Sequence, residues 1–319
     1  MSKSRNPPAS QAIKHFAAPS WQARLFGASL RYLVKPVFTP GVPLPWQRRY
    51  LDLLRFTLVS PRGVRRESLE LGGIPTVKFT PDGGTRNGSI LYWHGGGYAI
   101  GSPATHRALA SHICKATQRV VYAPRYRLAP EHPYPAQLQD AGFAWAALYR
   151  RGVRPSDLVL IGDSAGGNLA LSMLLDGNNA GLPCPAALVL ISPWVDPLAA
   201  VEDDGRDALV SARWIDQLRS AFLPDGVRDD YPSIPQADLR DLPPTLIQCA
   251  AVELLAPQAR LLATRLRECG VRVTLDEAPG LWHDYQMHAG LVPEATLAVS
   301  RIADFLEEFA GPTVTITRG

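Results

Sequence analysis

The sequence predicts an α/β fold, a mostly parallel sheet with helices on both faces. Three observations carry this. From residue 65 onward, short strand-like runs alternate with helical stretches of about 10–15 residues. The middle strands, such as Leu158–Ile161 and Ala187–Ile191, are continuous apolar runs, as in parallel strands buried on both faces. The composition, 46% hydrophobic and 19% charged over 319 residues, is that of a packed chain. That length exceeds one ordinary α/β unit, so one large domain plus an additional segment is expected.

Taken in order, the first 61 residues read as helices broken by proline. Trp21, Leu25, Phe26, Leu30, Leu33 and Val34 recur at helical spacing, and Pro36, Pro40, Pro43 and Pro45 then interrupt it. A second helix is expected over Trp46–Leu58. Such amphipathic stretches pack on a core, cover a pocket or lie on a membrane surface. Strands follow at Glu67–Leu71 and Thr76–Phe79, joined by Gly72-Gly73, then at Ser89–Trp93, Arg119–Ala123, Leu158–Ile161, Ala187–Ile191, Thr245–Cys249 and Val271–Leu275. Helices are expected at Ala104–Ala116, Ala136–Arg150, Ser164–Leu175, Pro257–Cys269 and Pro293–Phe309. Residues 198–241 interrupt the alternation with a helical piece at Ala212–Phe222. Eight of the 29 prolines lie in the first 61 residues and others sit beside strand ends, at Pro124, Pro193, Pro197, Pro243 and Pro244, which reads as rigid loops around one rim of the sheet.

Several classes are excluded. The 33 basic residues are scattered without a run of five, which argues against nucleic acid as a partner. Cys114, Cys184, Cys249 and Cys269 show no C-x-x-C pair or zinc spacing and read as buried free thiols. Residues 1–18 hold no apolar core of a secretory leader, and no stretch of about 18 apolar residues offers a membrane span. A cytoplasmic location fits these features.

The chemistry lies in two glycine motifs. Gly162-Asp163-Ser164-Ala165-Gly166 is G-x-S-x-G between a strand and a helix, the context in which that motif forms a nucleophile elbow. His94-Gly95-Gly96-Gly97 follows another strand end, where glycine lets backbone N–H groups approach a developing oxyanion. Gly95, Gly96 and Ala165 are the candidate donors, and His94 is expected to brace the loop. A serine nucleophile needs a base and an acid, in the chain order Ser, acid, His. His283, in the loop after the last strand, is the candidate base, with His288 the weaker alternative. Glu253, at a strand end on the rim of Ser164, is the candidate acid; Asp196 is the rival, although its place between Val195 and Pro197 also suits a turn. Asp284 is expected to point away from the imidazole. Tyr98, Trp194, Trp214 and Trp282 are candidate pocket aromatics, as are Trp21 and Trp46.

Together these residues resemble the hormone-sensitive-lipase-like branch of the α/β-hydrolases. The matching segments are Tyr92–Tyr98, Tyr126–Ala136, Gly162–Asn168, Ser192–Trp194 and Gly280–His283, within residues 65–310. The resemblance implies an eight-stranded sheet, a helical cap over the site and hydrolysis of a small-molecule ester without metal or cofactor. The cap would comprise residues 1–61 and 198–241, on a core of residues 62–197 and 242–319. Ser164 would form an acyl-enzyme that water, activated by His283, releases. Two departures stand out. The family's usual acidic pair after the seventh strand is Glu253 and Pro257 here, which removes one support of that loop. The usual glycine after the catalytic histidine is Asp284, at the pocket mouth. Serine, acid and histidine all being present argues against a non-catalytic receptor on this fold. Short- to medium-chain esters are the expected substrates, and a specialised ester, a lactone, an amide or a lipid interface are the alternatives. The last strand, as a sheet edge, offers a surface for a homodimer.

Overall fold

The computed structural model describes residues 18–310, except 87, 180–182 and 227–230. Helix α1 (Trp21–Ser29) begins where Ser20 Oγ accepts from the amide of Ala23 at 3.2 Å, and it runs into one π-type turn at Leu30–Val34. Helix α2 (Leu44–Leu54) starts two residues before the expected position, because Pro45 suits the first turn of a helix. It ends at Leu54 rather than Leu58. Strands β1 (Val64–Leu71) and β2 (Ile74–Pro81) form the expected hairpin. Then come β3 (Ser89–Trp93), α3 (Arg107–Thr117), β4 (Val120–Pro124), α4 (Ala136–Arg150), β5 (Leu158–Asp163), α5 (Ala165–Asn179), β6 (Ala187–Ile191), α6 (Ala212–Phe222), β7 (Thr245–Ala250), α7 (Ala256–Glu268), β8 (Val273–Ala278) and α8 (Pro293–Phe309).

The eight strands form one sheet in the order β1-β2-β4-β3-β5-β6-β7-β8. β2 is antiparallel to both neighbours, and all pairs from β4 onward are parallel. β5, β6 and β7 are buried along their whole length, as their unbroken apolar runs require. Each fully buried aliphatic side chain there is worth roughly 1.5–3 kcal/mol relative to exposure. The register aligns the carboxyl ends: Trp93 pairs with Gly162, Asp163 with Ile191, and Ala250 with Ala278. One rim therefore collects the loops that follow six parallel strands, β3 to β8, which is where α/β sheets place their ligands.

A helical layer lies over that rim. Phe38 stacks on Trp214 of α6 at 4.9 Å, and Trp214 Nε1 donates to Gln47 Oε1 of α2 at 2.8 Å. Lys35 Nζ donates to the Asp207 carbonyl at 2.7 Å, and Arg31 donates to the carbonyls of Gly205 and Arg206. The two sequence segments on either side of the core thus pack on each other. Arg48 of α2 fixes them to the core through Glu131 and the carbonyls of Ala99 and Ala129.

Two expectations need correction here. The last strand is displaced to Val273–Ala278 from Val271–Leu275, because Asp276, polar in sequence, is satisfied inside the sheet by Arg301 Nη1 at 2.5 Å. All four cysteines are free, but only Cys114 and Cys249 are buried; Cys184 and Cys269 sit half-buried at loop positions. The expectation that residues 1–18 are no leader lies almost wholly outside the described residues. No helix among the described residues is long and apolar enough to cross a membrane.

Candidate active site

Ser164 sits between β5 and α5 with φ +50°, a left-handed conformation that costs a non-glycine residue about 1–2 kcal/mol. The surroundings hold it there. Its amide donates to the Ile191 carbonyl at 2.8 Å, and its carbonyl accepts from Trp194 and Gly167, both at 3.0 Å. Gly166 is required by the close approach of β3: a Cβ there would fall 2.0 Å from the Trp93 carbonyl oxygen. The Ala165 amide, at the start of α5, points its share of the helix dipole at the serine.

The glycine loop after β3 is tied to this turn by a residue the sequence reading left unassigned. Asp163, fully buried, accepts from the Tyr92 hydroxyl and from the Gly95 amide at 2.8 Å, and it pairs with His106 Nε2 at 3.3 Å. Burial alone would raise its pKa, but His106 and Tyr92 outweigh it, so Asp163 stays below its ordinary value and charged. Burial would lower His106, but Asp163 overrides it and moves it upward. This corrects one candidate donor: the Gly95 amide is consumed by Asp163 and does not face the cavity. Gly96 and Gly97, with φ +109° and +58°, line the cavity instead. His94 braces the loop, stacking on Tyr126 at 4.3 Å while its carbonyl accepts from the Tyr126 hydroxyl at 2.7 Å. Burial and the nearby His106 keep its ring neutral down to about pH 3.

His283 and Glu253 approach from the other side of Ser164. Glu253 Oε2 accepts from Ser192 Oγ at 2.7 Å and from the Ala250 amide at 3.0 Å. Its Oε1 lies 3.6 Å from His283 Nδ1, and neither of those two buried atoms has another hydrogen-bond partner among the described residues. The support lost with Pro257 comes from elsewhere: Asp207, in the insertion, accepts from the Leu254 amide at 3.0 Å and anchors the loop. Asp196 is committed to a turn, its Oδ1 accepting from the Leu198 amide at 2.9 Å.

Asp284 departs from expectation. With φ +56° its side chain turns back over the imidazole, and Oδ2 lies 3.2 Å from His283 Nε2. Its amide donates to Ser192 Oγ at 3.1 Å, so Ser192 bridges the Glu253 and Asp284 sides. His283 is thus held between two carboxylates. Burial disfavours its charged form, but Asp284 and then Glu253 override this and hold its pKa well above the ordinary value. Burial, with Asp163 adding to it, pushes Asp284 up to about 6 despite the opposing pull of His283.

Ser164, His283 and Asp284 open into one cavity of about 400 Å³. Its walls are mainly apolar, with Leu30 and Val34 from the first segment, Leu51 and Leu54 from α2, and Trp214 and Leu218 from α6. Of the six aromatic candidates, Trp194 and Trp214 line it, whereas Trp21 and Trp46 stand exposed and do not. Tyr98 does not: its ring stacks on Phe222 at 3.9 Å and its hydroxyl donates to Asn168 at 2.5 Å, in a separate small cavity. Trp282 is buried behind the site against Gly27 and His288. His288 reaches the cavity wall, but burial holds its ring neutral down to about pH 4 and no carboxylate pairs with it among the described residues.

A serine on a strained turn, the backbone of Gly96, Gly97 and Ala165 around it and a histidine flanked by carboxylates define a hydrolase of the α/β type. Residues 90–287 match a family described as the alpha/beta hydrolase fold, and the chain belongs to it. An acetyl-hydrolase of Streptomyces hygroscopicus is 36% identical over 229 residues, 70% of this chain and 76% of that one. A carboxylesterase/phospholipase of Mycobacterium tuberculosis is 31% identical over 316 residues, 92% of this chain and 83% of that one. The crystal structure of an esterase from the bacterial hormone-sensitive lipase family superposes with a TM-score of 0.85 at 33% identity, covering 92% of this chain and all of that one.

Proposed function

We propose that Ser164 is the nucleophile of a serine carboxylesterase, His283 its general base, Glu253 the acid that orients the imidazole, and Gly96, Gly97 and Ala165 the oxyanion donors. The protein is a carboxylic ester hydrolase. One observation carries the residue assignment: Ser164, strained at the start of α5, shares a cavity wall with a histidine whose other nitrogen faces a buried, otherwise unpaired carboxylate oxygen. In this reading His283 Nε2 takes the proton of Ser164 Oγ as the oxygen attacks the ester carbonyl. The amides stabilise the oxyanion. Collapse expels the alcohol, which takes the proton back from the imidazolium, and leaves an acyl-serine. Water then repeats the sequence and releases the acid.

The described residues of 18–61 and 198–241 form the cap in this reading, and its apolar wall takes the acyl part of a short- to medium-chain ester. The open edge of β8 is the surface along which a second copy would pair, and a cytoplasmic location is part of the same proposal. The test is hydrolysis of p-nitrophenyl esters from acetate to palmitate by the purified chain. Turnover is expected, strongest in the short to medium range, and turnover of none would sink the proposal.

Asp284 gives the reaction a particular pH dependence. His283 must be neutral to accept the serine proton, and its two carboxylate neighbours favour the charged ring. The acid limb of kcat/KM is therefore expected at higher pH than an ordinary imidazole would give. Asp284→Asn, whose side chain tolerates the left-handed backbone, removes one charge and should move that limb down by about one pH unit or more. An unmoved limb would show that Asp284 does not govern the base.

A further inference from the structure

The outer face of the first helical segment is rich in exposed apolar side chains. Among the described residues, eight of the eleven exposed large apolar side chains fall within residues 21–59. Trp21, Leu25 and Tyr32 recur at four and seven residues along α1 and its π turn, so they share one stripe, and they are 70%, 60% and 73% exposed. Trp46, Leu53 and Phe56 form a second stripe on α2 and the turn after it, each more than 60% exposed. The Tyr50 hydroxyl donates to the Leu33 carbonyl at 3.0 Å and sets the two elements side by side. The cavity opens between them: Leu33 both lines it and stands 66% exposed, and Leu54 and Leu58 line it from the other side. Contiguous exposed apolar surface on a folded protein marks an interaction site.

Charge identifies the partner. The first 62 residues carry ten Lys and Arg against one acidic residue, Asp52, whereas the remaining 257 carry 23 against 28. Among the described residues of that segment, Arg24, Arg31, Lys35, Arg48, Arg49, Arg55 and Arg62 stand against Asp52, so the segment that carries the apolar face is net positive. The Arg49 guanidinium lies over the Trp46 ring at 5.3 Å, and Arg55 lies over Phe56 at 4.8 Å, so cationic groups sit directly beside the exposed rings. Aromatic and leucine side chains interleaved with arginine suit the boundary between anionic headgroups and acyl chains. A symmetric self-association through this face would instead oppose like charges.

We propose that α1, the π turn and α2 form a docking face for an anionic lipid surface, with the cavity mouth turned toward it. An ester carrying an apolar chain then passes from the lipid into the site without crossing water. The docking goes beyond the hydrolytic reading and is measured apart from it.

The test is flotation of the Ser164→Ala chain with vesicles of phosphatidylcholine alone and of phosphatidylcholine with phosphatidylglycerol. Binding is expected to the mixed vesicles at low salt, weaker as salt rises, with a blue shift of tryptophan emission. The double variant Leu25→Asp/Leu53→Asp, built on otherwise wild-type protein, should lose vesicle binding by about tenfold or more while hydrolysing a water-soluble short ester at the parental rate. Absence of binding to the mixed vesicles would overturn the proposal. So would equal binding to the neutral ones, or a solution dimer that the double variant dissociates.

Discussion

Replacing Ser164 by alanine is expected to reduce kcat/KM for a p-nitrophenyl ester by about a thousandfold or more, with no loss of fold. The substitution removes only Oγ, and no hydrogen bond from that oxygen stabilises the structure among the described residues. The strained φ of +50° is borne equally by serine and alanine, because both carry a Cβ. The amides of Gly96, Gly97 and Ala165 remain, so a residual rate from oxyanion stabilisation and binding persists. Circular dichroism and the thermal midpoint should match the parent. A variant retaining most of its activity would mean that another group attacks the ester.

The second large effect concerns the acid. Glu253→Ala is expected to lower kcat by about 10²–10⁴-fold, whereas Asp196→Ala stays near the parental rate. Glu253 faces His283 Nδ1, while Asp196 holds the turn that begins at Pro197. Removing Glu253 also strips acceptors from Ser192 Oγ and the Ala250 amide, so loss of activity could accompany a disturbed loop. Glu253→Gln separates the two: its amide oxygen keeps those acceptors but carries no charge for the imidazolium. It should fold with the parental thermal midpoint and still be slow. Asp196→Ala being the slower variant would move the acid to Asp196.

Much of this site is legible in the chain because glycine spacing and strand ends are local properties. GDSAG after an apolar run and HGGG after another determine which rim reacts, and the strand order brings them together. What is not legible depends on side chains meeting across the fold. Which amide of the glycine loop faces the cavity is decided by Asp163, whose carboxylate takes that of Gly95, and spacing carries no trace of this. Asp284 lies next to His283 in sequence, where successive side chains ordinarily diverge; a left-handed backbone turns it back over the ring instead. The anchor of the Glu253 loop, Asp207, is 46 residues away, in the insertion. Trp282 stands beside the histidine in sequence yet packs behind it, while Trp214 enters the cavity from the distant helix α6.

The central claim, that Ser164 carries the acyl group, is tested most directly by intact-protein and peptide mass spectrometry after treatment with an organophosphate ester. One covalent phosphoryl adduct is expected, on the peptide containing Ser164, absent from Ser164→Ala and formed more slowly in Glu253→Gln. An adduct on a different residue, or one retained by Ser164→Ala, would contradict it.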